Sequence, residues 1–184
     1  VIDTRWLWRG AVVLAIAALV HLAALWALPR LIMARVLAGV QAEADASSGV
    51  MLPPPADHRQ RRIVLPSPDL LYALCRYDVG ARPLRVRAEP RTGQYWSIAL
   101  YAANADNYFV LNDGDAAGRA PDLLIVGPDA GPVNAAPTAA AVRSPSARGL
   151  VLMRLLAAAG DEATTAAALA AAEVARRTLR CESR

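Results

Sequence analysis

The sequence has no lysine. All twenty basic residues among its 184 are arginine, so there is no amine for a Schiff base and no lysine to abstract a proton. Histidine is nearly absent too: His21 lies in an apolar run and His58 in a polar, proline-rich stretch, so no Ser, Thr or Cys gains a neighbouring base in a folded constellation. With only Cys75 and Cys181 besides, zinc-ligand spacing is missing and a dense disulfide scaffold is excluded; no metal or other cofactor is expected. There is one phenylalanine, against five tyrosines and four tryptophans. Hydrophobic residues make up 55% and mean hydropathy is +0.28, which excludes an intrinsically disordered chain, although 41 alanines inflate the figure. The length allows one ordinary domain and one extra element, not two large domains.

The apolar residues are unevenly placed. Residues 11–28 carry no charge, only His21 interrupts them, and at ~1.5 Å per residue they span roughly a hydrocarbon core. Trp6 and Trp8 precede the run and Trp26 ends it, at the headgroup level that amphipathic rings prefer, with Arg5 and Arg9 on one side and Arg30 on the other. This predicts a 1–9 tail and a transmembrane helix over 10–28. No small-residue cleavage site follows closely, so an uncleaved anchor is expected rather than a signal peptide. A short cytoplasmic tail with the bulk of the chain outside is the favoured orientation. His21 reads as a neutral imidazole in a lone helix rather than a proton relay. Ala11/Ala15 and Ala23/Ala27 make small-xxx-small pairs, a weak signal for a helix-mediated dimer.

Pro29 predicts a kink and a restarted amphipathic helix over 29–46, with Leu31, Met33 or Ala34, Leu37 and Val40 or Gln41 at helical spacing. Packing on the domain is favoured for this face over membrane-surface sensing. Residues 47–62, with prolines at 53–55 and a polar cluster at 57–62, read as a linker to a domain over 63–184. There the period changes to two: Leu84 and Val86 alternate with Arg85 and Arg87, and Trp96, Ile98 and Leu100 with Tyr95, Ser97, Ala99 and Tyr101. Turn-forming clusters separate strands expected at 71–78, 83–88, 94–102, 107–111, 122–127, 139–143 and 149–155. The fold class is therefore mainly β, an antiparallel sandwich or jelly-roll-like domain. An alanine-rich helix is expected at 161–180, acidic at its start and basic at its end, with Leu169, Ala172, Arg176 and Leu179 on one face.

Three blocks carry a resemblance: Pro68-Asp69-Leu70-Leu71-Tyr72-Ala73-Leu74-Cys75-Arg76-Tyr77-Asp78-Val79, then Pro83-Leu84-Arg85-Val86, then Tyr95-Trp96-Ser97-Ile98-Ala99-Leu100-Tyr101. With Asp106-Asn107-Tyr108-Phe109-Val110-Leu111-Asn112-Asp113 and Gly149-Leu150-Val151-Leu152-Met153-Arg154, the chain resembles the bacterial domain of unknown function 1254 family, in particular its short membrane-anchored members. The resemblance implies a β-rich extracytoplasmic domain on the bacterial inner membrane, often beside a sister unit, domain of unknown function 1214. With the chain ending at Arg184, that sister is expected as a separate subunit. The family supplies no catalytic residues to carry over.

Other candidate chemistry has a plainer reading. Asp113-Gly114-Asp115 lacks the length of a calcium loop and reads as a hairpin turn. Asp69, Asp78, Asp106 and Asp113 read as turn and cap residues rather than a glycosidase pair. Among Tyr72, Tyr77, Tyr95, Trp96, Tyr101, Tyr108 and Phe109, the set Tyr72, Tyr95, Trp96, Tyr101 and Tyr108 is the candidate surface for a ligand or partner, with core filling as the alternative. Cys75 and Cys181 either bridge the first strand to the carboxyl-terminal helix or remain a buried thiol and a mobile one. Arg76, Arg82, Arg85, Arg87 and Arg91 read as a solvated face. Seven arginines face four acids up to Arg62 and thirteen face twelve beyond it, so the basic excess belongs to the anchor region and no nucleic-acid partner is expected. The expectation is a non-enzymatic envelope protein that binds the lipid bilayer and a protein partner. A sugar- or lipid-binding module is the alternative, and an envelope hydrolase ranks below both.

Overall fold

A computed structural model describes residues 4–56, 66–132, 139–158 and 161–183. The uncharged run forms the exposed part of one 40-residue helix, α1 (Thr4–Glu43), about 60 Å long. The kink expected at Pro29 does not break it. Proline costs one backbone hydrogen bond in the turn behind it. In that turn the Arg30 guanidinium donates to the Trp26 carbonyl (2.6 Å) and lies over the Trp26 ring at 4.4 Å, while packing of Met33, Leu37 and Val40 on the domain holds the helix beyond the proline. Packing is thus the outcome for this face.

The chain reverses after α1 on Asp45, whose side chain accepts from the Ser47 and Ser48 amides, with Gly49 at φ +66°. The Ser47 hydroxyl and amide hold the Asp45 carboxyl below the usual range. The expected linker then opens with a strand, β1 (Val50–Met51), which pairs antiparallel with β2 (Leu70–Asp78). The polar cluster at 57–62 lies outside the described residues.

The seven strands that the alternation predicts are all present: β2, β3 (Leu84–Arg87), β4 (Trp96–Ala102), β5 (Asn107–Asn112), β6 (Asp122–Val126), β7 (Ala140–Arg143) and β8 (Arg148–Leu156). A short helix, α2 (Asp113–Ala116), follows β5; the helix α3 (Glu162–Arg176) leads to a last strand, β9 (Arg180–Ser183). One sheet has the order β1-β2-β8-β4-β5 and the other β7-β6-β3-β9. The pairs are antiparallel except β6 with β7, which run parallel. The inner faces meet in one core built from Leu71, Cys75 and Tyr77 of β2, Ile98 and Leu100 of β4, Val151, Met153 and Leu155 of β8, and Val86, Leu123 and Ile125 opposite.

Three expectations fail at the carboxyl end. The helix stops at Arg176 rather than 180, because residues 180–183 pair with β3 as a strand; Thr178 closes the last turn by donating to the Ala175 carbonyl (2.7 Å). Its buried face is Ala168, Ala172, Ala175 and Arg176, with Leu169 40% exposed, since small side chains let the helix approach the sheet. Cys181 therefore lies in a strand, and the disulfide Cys75–Cys181 joins β2 to β9, one sheet to the other, with Cα atoms 6.6 Å apart. Arg176 is 5% exposed; its guanidinium donates to the carbonyls of Pro53 (2.5 Å) and Tyr72 (3.3 Å) and pairs with Glu173 (2.5 Å), tying α3 to the start of the domain.

Candidate site on the outer face of the five-stranded sheet

On β2, β8 and β4 the residues that point away from the core are mostly apolar, which is unusual for a sheet with one solvated face. Register sets them in rows across the strands: Arg76, Leu150 and Tyr101; then Leu74, Leu152, Ala99 and Val110; then Tyr72, Arg154, Ser97 and Asn112; then Leu70 and Leu156. α1 covers the first of these rows. Met33, Leu37 and Val40 bury themselves against Leu150, with Met51, Leu74 and Tyr101 packed around them, and the Arg76 guanidinium donates to the Gln41 side-chain oxygen (3.3 Å).

The remaining rows are partly open. Leu70, Tyr72, Leu152, Arg154 and Leu156 are half-buried, Tyr95 is 45% exposed and Val110 is 44% exposed. Within them the buried Ser97 hydroxyl and the Arg154 Nε find no hydrogen-bond partner among the described residues. A buried donor left in that state costs ~1–3 kcal/mol.

The predicted aromatic residues do not share one groove. Tyr72, Tyr95 and Tyr101 lie on this outer face, Tyr101 beside α1 and Tyr72 with its hydroxyl taken by the Ser67 amide (3.0 Å). Trp96 is only 6% exposed and packs in the core, because alternation on β4 turns it opposite to Tyr95; it lines no surface. Tyr108 is the extra residue of a bulge between β4 and β5, which turns it inward. Its hydroxyl donates to the Tyr77 hydroxyl (3.0 Å), which also meets Ser144 Oγ (2.9 Å) and the Tyr101 carbonyl (3.1 Å). Burial and the Tyr77 bond push the Tyr108 hydroxyl far up, so Tyr108 joins the network as a neutral donor. Gly149 belongs to it, since a Cβ there would run into the Tyr77 ring and the Tyr101 carbonyl. Tyr77, Ser144, Ser97 and Arg154 have no sequence signal beyond the alternation; their roles come from register.

Elsewhere the plain readings stand or shift slightly. Asp113 and Asp115 form a helical turn, α2, capped by Asn112, and not a hairpin turn. Arg85 grips Asp122 with two bonds (2.8 and 2.5 Å), Arg87 pairs with Glu182 (2.7 Å), and Arg76 and Arg91 lie near Asp78 and Glu89 (3.7 Å each). No group of three metal-ligating side chains occurs among the described residues. A cavity of about 320 Å³ beside the end of α1 is lined by Gln41, Asp45, Arg76, Asp78 and Ser183 among others, and by none of the five candidate aromatics. Trp6, Trp8 and Trp26 are exposed on α1, Trp6 under the Arg9 guanidinium at 5.2 Å.

A two-sheet sandwich carried on a helix long and apolar enough to cross a membrane, with one sheet face half-covered by that helix, defines the class. The chain belongs to a family of proteins of unknown function, DUF1254, whose model matches residues 49–181. No curated protein matches it. Among solved structures, the VPA0106 protein from Vibrio parahaemolyticus is similar in fold, with a TM-score of 0.54 at 16% identity over 64% of this chain and 28% of that one. An uncharacterised protein from Burkholderia cenocepacia matches with a TM-score of 0.43 at 14% identity, covering 72% of this chain and 34% of that one. The chain thus spans about a third or less of the length of these two structures.

Proposed function

We propose that this chain is a non-enzymatic, single-pass protein of the bacterial inner membrane, with its amino-terminal tail cytoplasmic and its sandwich in the periplasm as an assembly module for a protein partner. The observation that carries the reading is the half-covered outer face: Leu70, Tyr72, Leu152 and Leu156 around Arg154, beside a docked helix that already uses the same kind of surface. A partner that fits brings apolar side chains and a carboxylate for Arg154. The sister family, domain of unknown function 1214, is the first such partner to seek. The membrane part of the reading is supported by the uncharged run with its flanking tryptophans and arginines, and by a disulfide between the two sheets, which suits an oxidising compartment.

Co-purification of the intact protein from cross-linked native membranes, followed by mass spectrometry, tests this. One protein is expected in near-stoichiometric amount with the natural chain and is lost from Arg154→Glu while circular dichroism stays unchanged. A chain that is recovered alone contradicts the partner. A reporter fused after Arg184 that is active in the cytoplasm contradicts the topology.

A further inference from the structure

The way α1 meets the sandwich fixes which edge of the domain lies nearest the membrane; this step rests on the reading that α1 spans the bilayer. Gln41 reaches Arg76 in β2, whereas Tyr101, in the same packed cluster, lies two strands away in β4. α1 touches β1, β2 and β8, three neighbours in the sheet order, so it lies across the strands rather than along one of them. Continued toward its amino end it passes the outermost strand, β5, ~5 Å beyond β4. Arg30 lies ~4.5 Å before Met33 on the same unbroken helix. β5 and the Trp26–Arg30 pair are therefore level. No flexible segment separates the span from the docked turns, so the sandwich has no slack to swing away.

We propose that the β5 edge of the sandwich lies against the lipid headgroups. The strand suits that surface: Tyr108, Phe109 and Leu111 anchor it to the core, while Val110 points outward, 44% exposed, between the polar ends Asn107 and Asn112. As the edge of its sheet it offers a row of backbone donors and acceptors. Those groups find partners among phosphates, glycerol esters and interfacial water, but none in hydrocarbon, so the edge rests at the headgroup level and no deeper. Asp106, Asp113 and Asp115 flank it and no arginine lies on it, which favours a zwitterionic surface over a strongly anionic one. With β5 toward the bilayer, the half-open outer face looks sideways along the membrane, where a neighbouring membrane protein can reach it.

The full chain in nanodiscs of phosphatidylethanolamine with a minor phosphatidylglycerol fraction provides the test. A photoreactive benzoylphenylalanine replaces Val110 in one variant and Glu182, on the far edge strand β9, in another. Several-fold more lipid adduct is expected at 110 than at 182. A Gly-Ser-Gly insertion after Arg30 frees the joint and brings the yield at 110 down to that at 182, with the sandwich still folded. Equal yields in the unmodified chain, or adducts at 110 to a second copy of the protein instead of lipid, overturn the proposal. A chain that fails to enter the discs overturns the spanning reading itself, and is recognised by its elution apart from lipid.

Discussion

On the four-stranded sheet the residues that face away from the core include Arg85, Arg87, Asp122 and Glu182, and Arg85–Asp122 and Arg87–Glu182 bridge strands as ion pairs. On the five-stranded sheet the corresponding positions hold Leu70, Leu74, Leu150, Leu152 and Leu156, and a helix from outside the sandwich lies over part of them. Both sheets alternate with the same period and share one core. The difference lies in the second face: paired charges stand there on β3, β6 and β9, whereas leucines stand there on β2 and β8 and a helix covers part of them. α1 supplies part of that cover, and the open remainder is the surface proposed for a partner.

The largest effect is expected from cutting the tie between the sheets. Cys75 and Cys181 are 106 positions apart, and a loop of that size gains ~5 kcal/mol from closure in the chain-entropy view. Reductant, or the double change to serine, should lower the urea midpoint followed through the buried Trp96; an unchanged midpoint denies the disulfide its role. Next comes the covered face: Leu37→Ala removes a side chain that is 8% exposed and should cost ~2–3 kcal/mol in the same assay. Arg85→Ala should lower the midpoint less than Leu37→Ala, although Asp122 grips the guanidinium with two bonds and holds its pKa above the ordinary value. If the order of Leu37 and Arg85 reverses, the contrast between the faces is wrong.

The smallest effect is pH-dependent. Burial pushes Glu173 up, but bonds from Arg176 and Arg177 outweigh it and hold the carboxyl below its ordinary 4.5 in the folded chain. Its contribution is therefore present above pH 4.5 and is lost as pH falls through the lower, folded-state value. Glu173→Gln should flatten that part of the stability profile; an identical acid slope in both chains removes Glu173 as its source.

The alternation made the sandwich legible, because each predicted strand has an inward apolar set and a turn at its end. β1 and β9 were hidden for local reasons: Val50–Met51 is too short to show a period, and Leu179 to Glu182 follows an alanine-rich helix that reads on through it. The helix through Pro29 could not be read either, since proline marks a local cost while the packing of Met33, Leu37 and Val40 that offsets it is tertiary. Of the candidate surface, Tyr72, Tyr95 and Tyr101 fall on one face by parity, whereas Tyr108 depends on a bulge and Trp96 on which parity faces the core. Arg154 becomes a candidate only once register sets it beside Ser97 and Tyr72.

α1 enters the domain as one unbroken element, so that the anchor and the leucine-rich face form a single unit. Hydrogen–deuterium exchange on the intact protein in nanodiscs tests it at residues 30–41. Protection there as strong as in β2 and β8 is the predicted result. Rapid exchange at 30–36 beside a protected sandwich would mean a hinge at Pro29, and would contradict both the docked helix and the membrane-facing β5 edge.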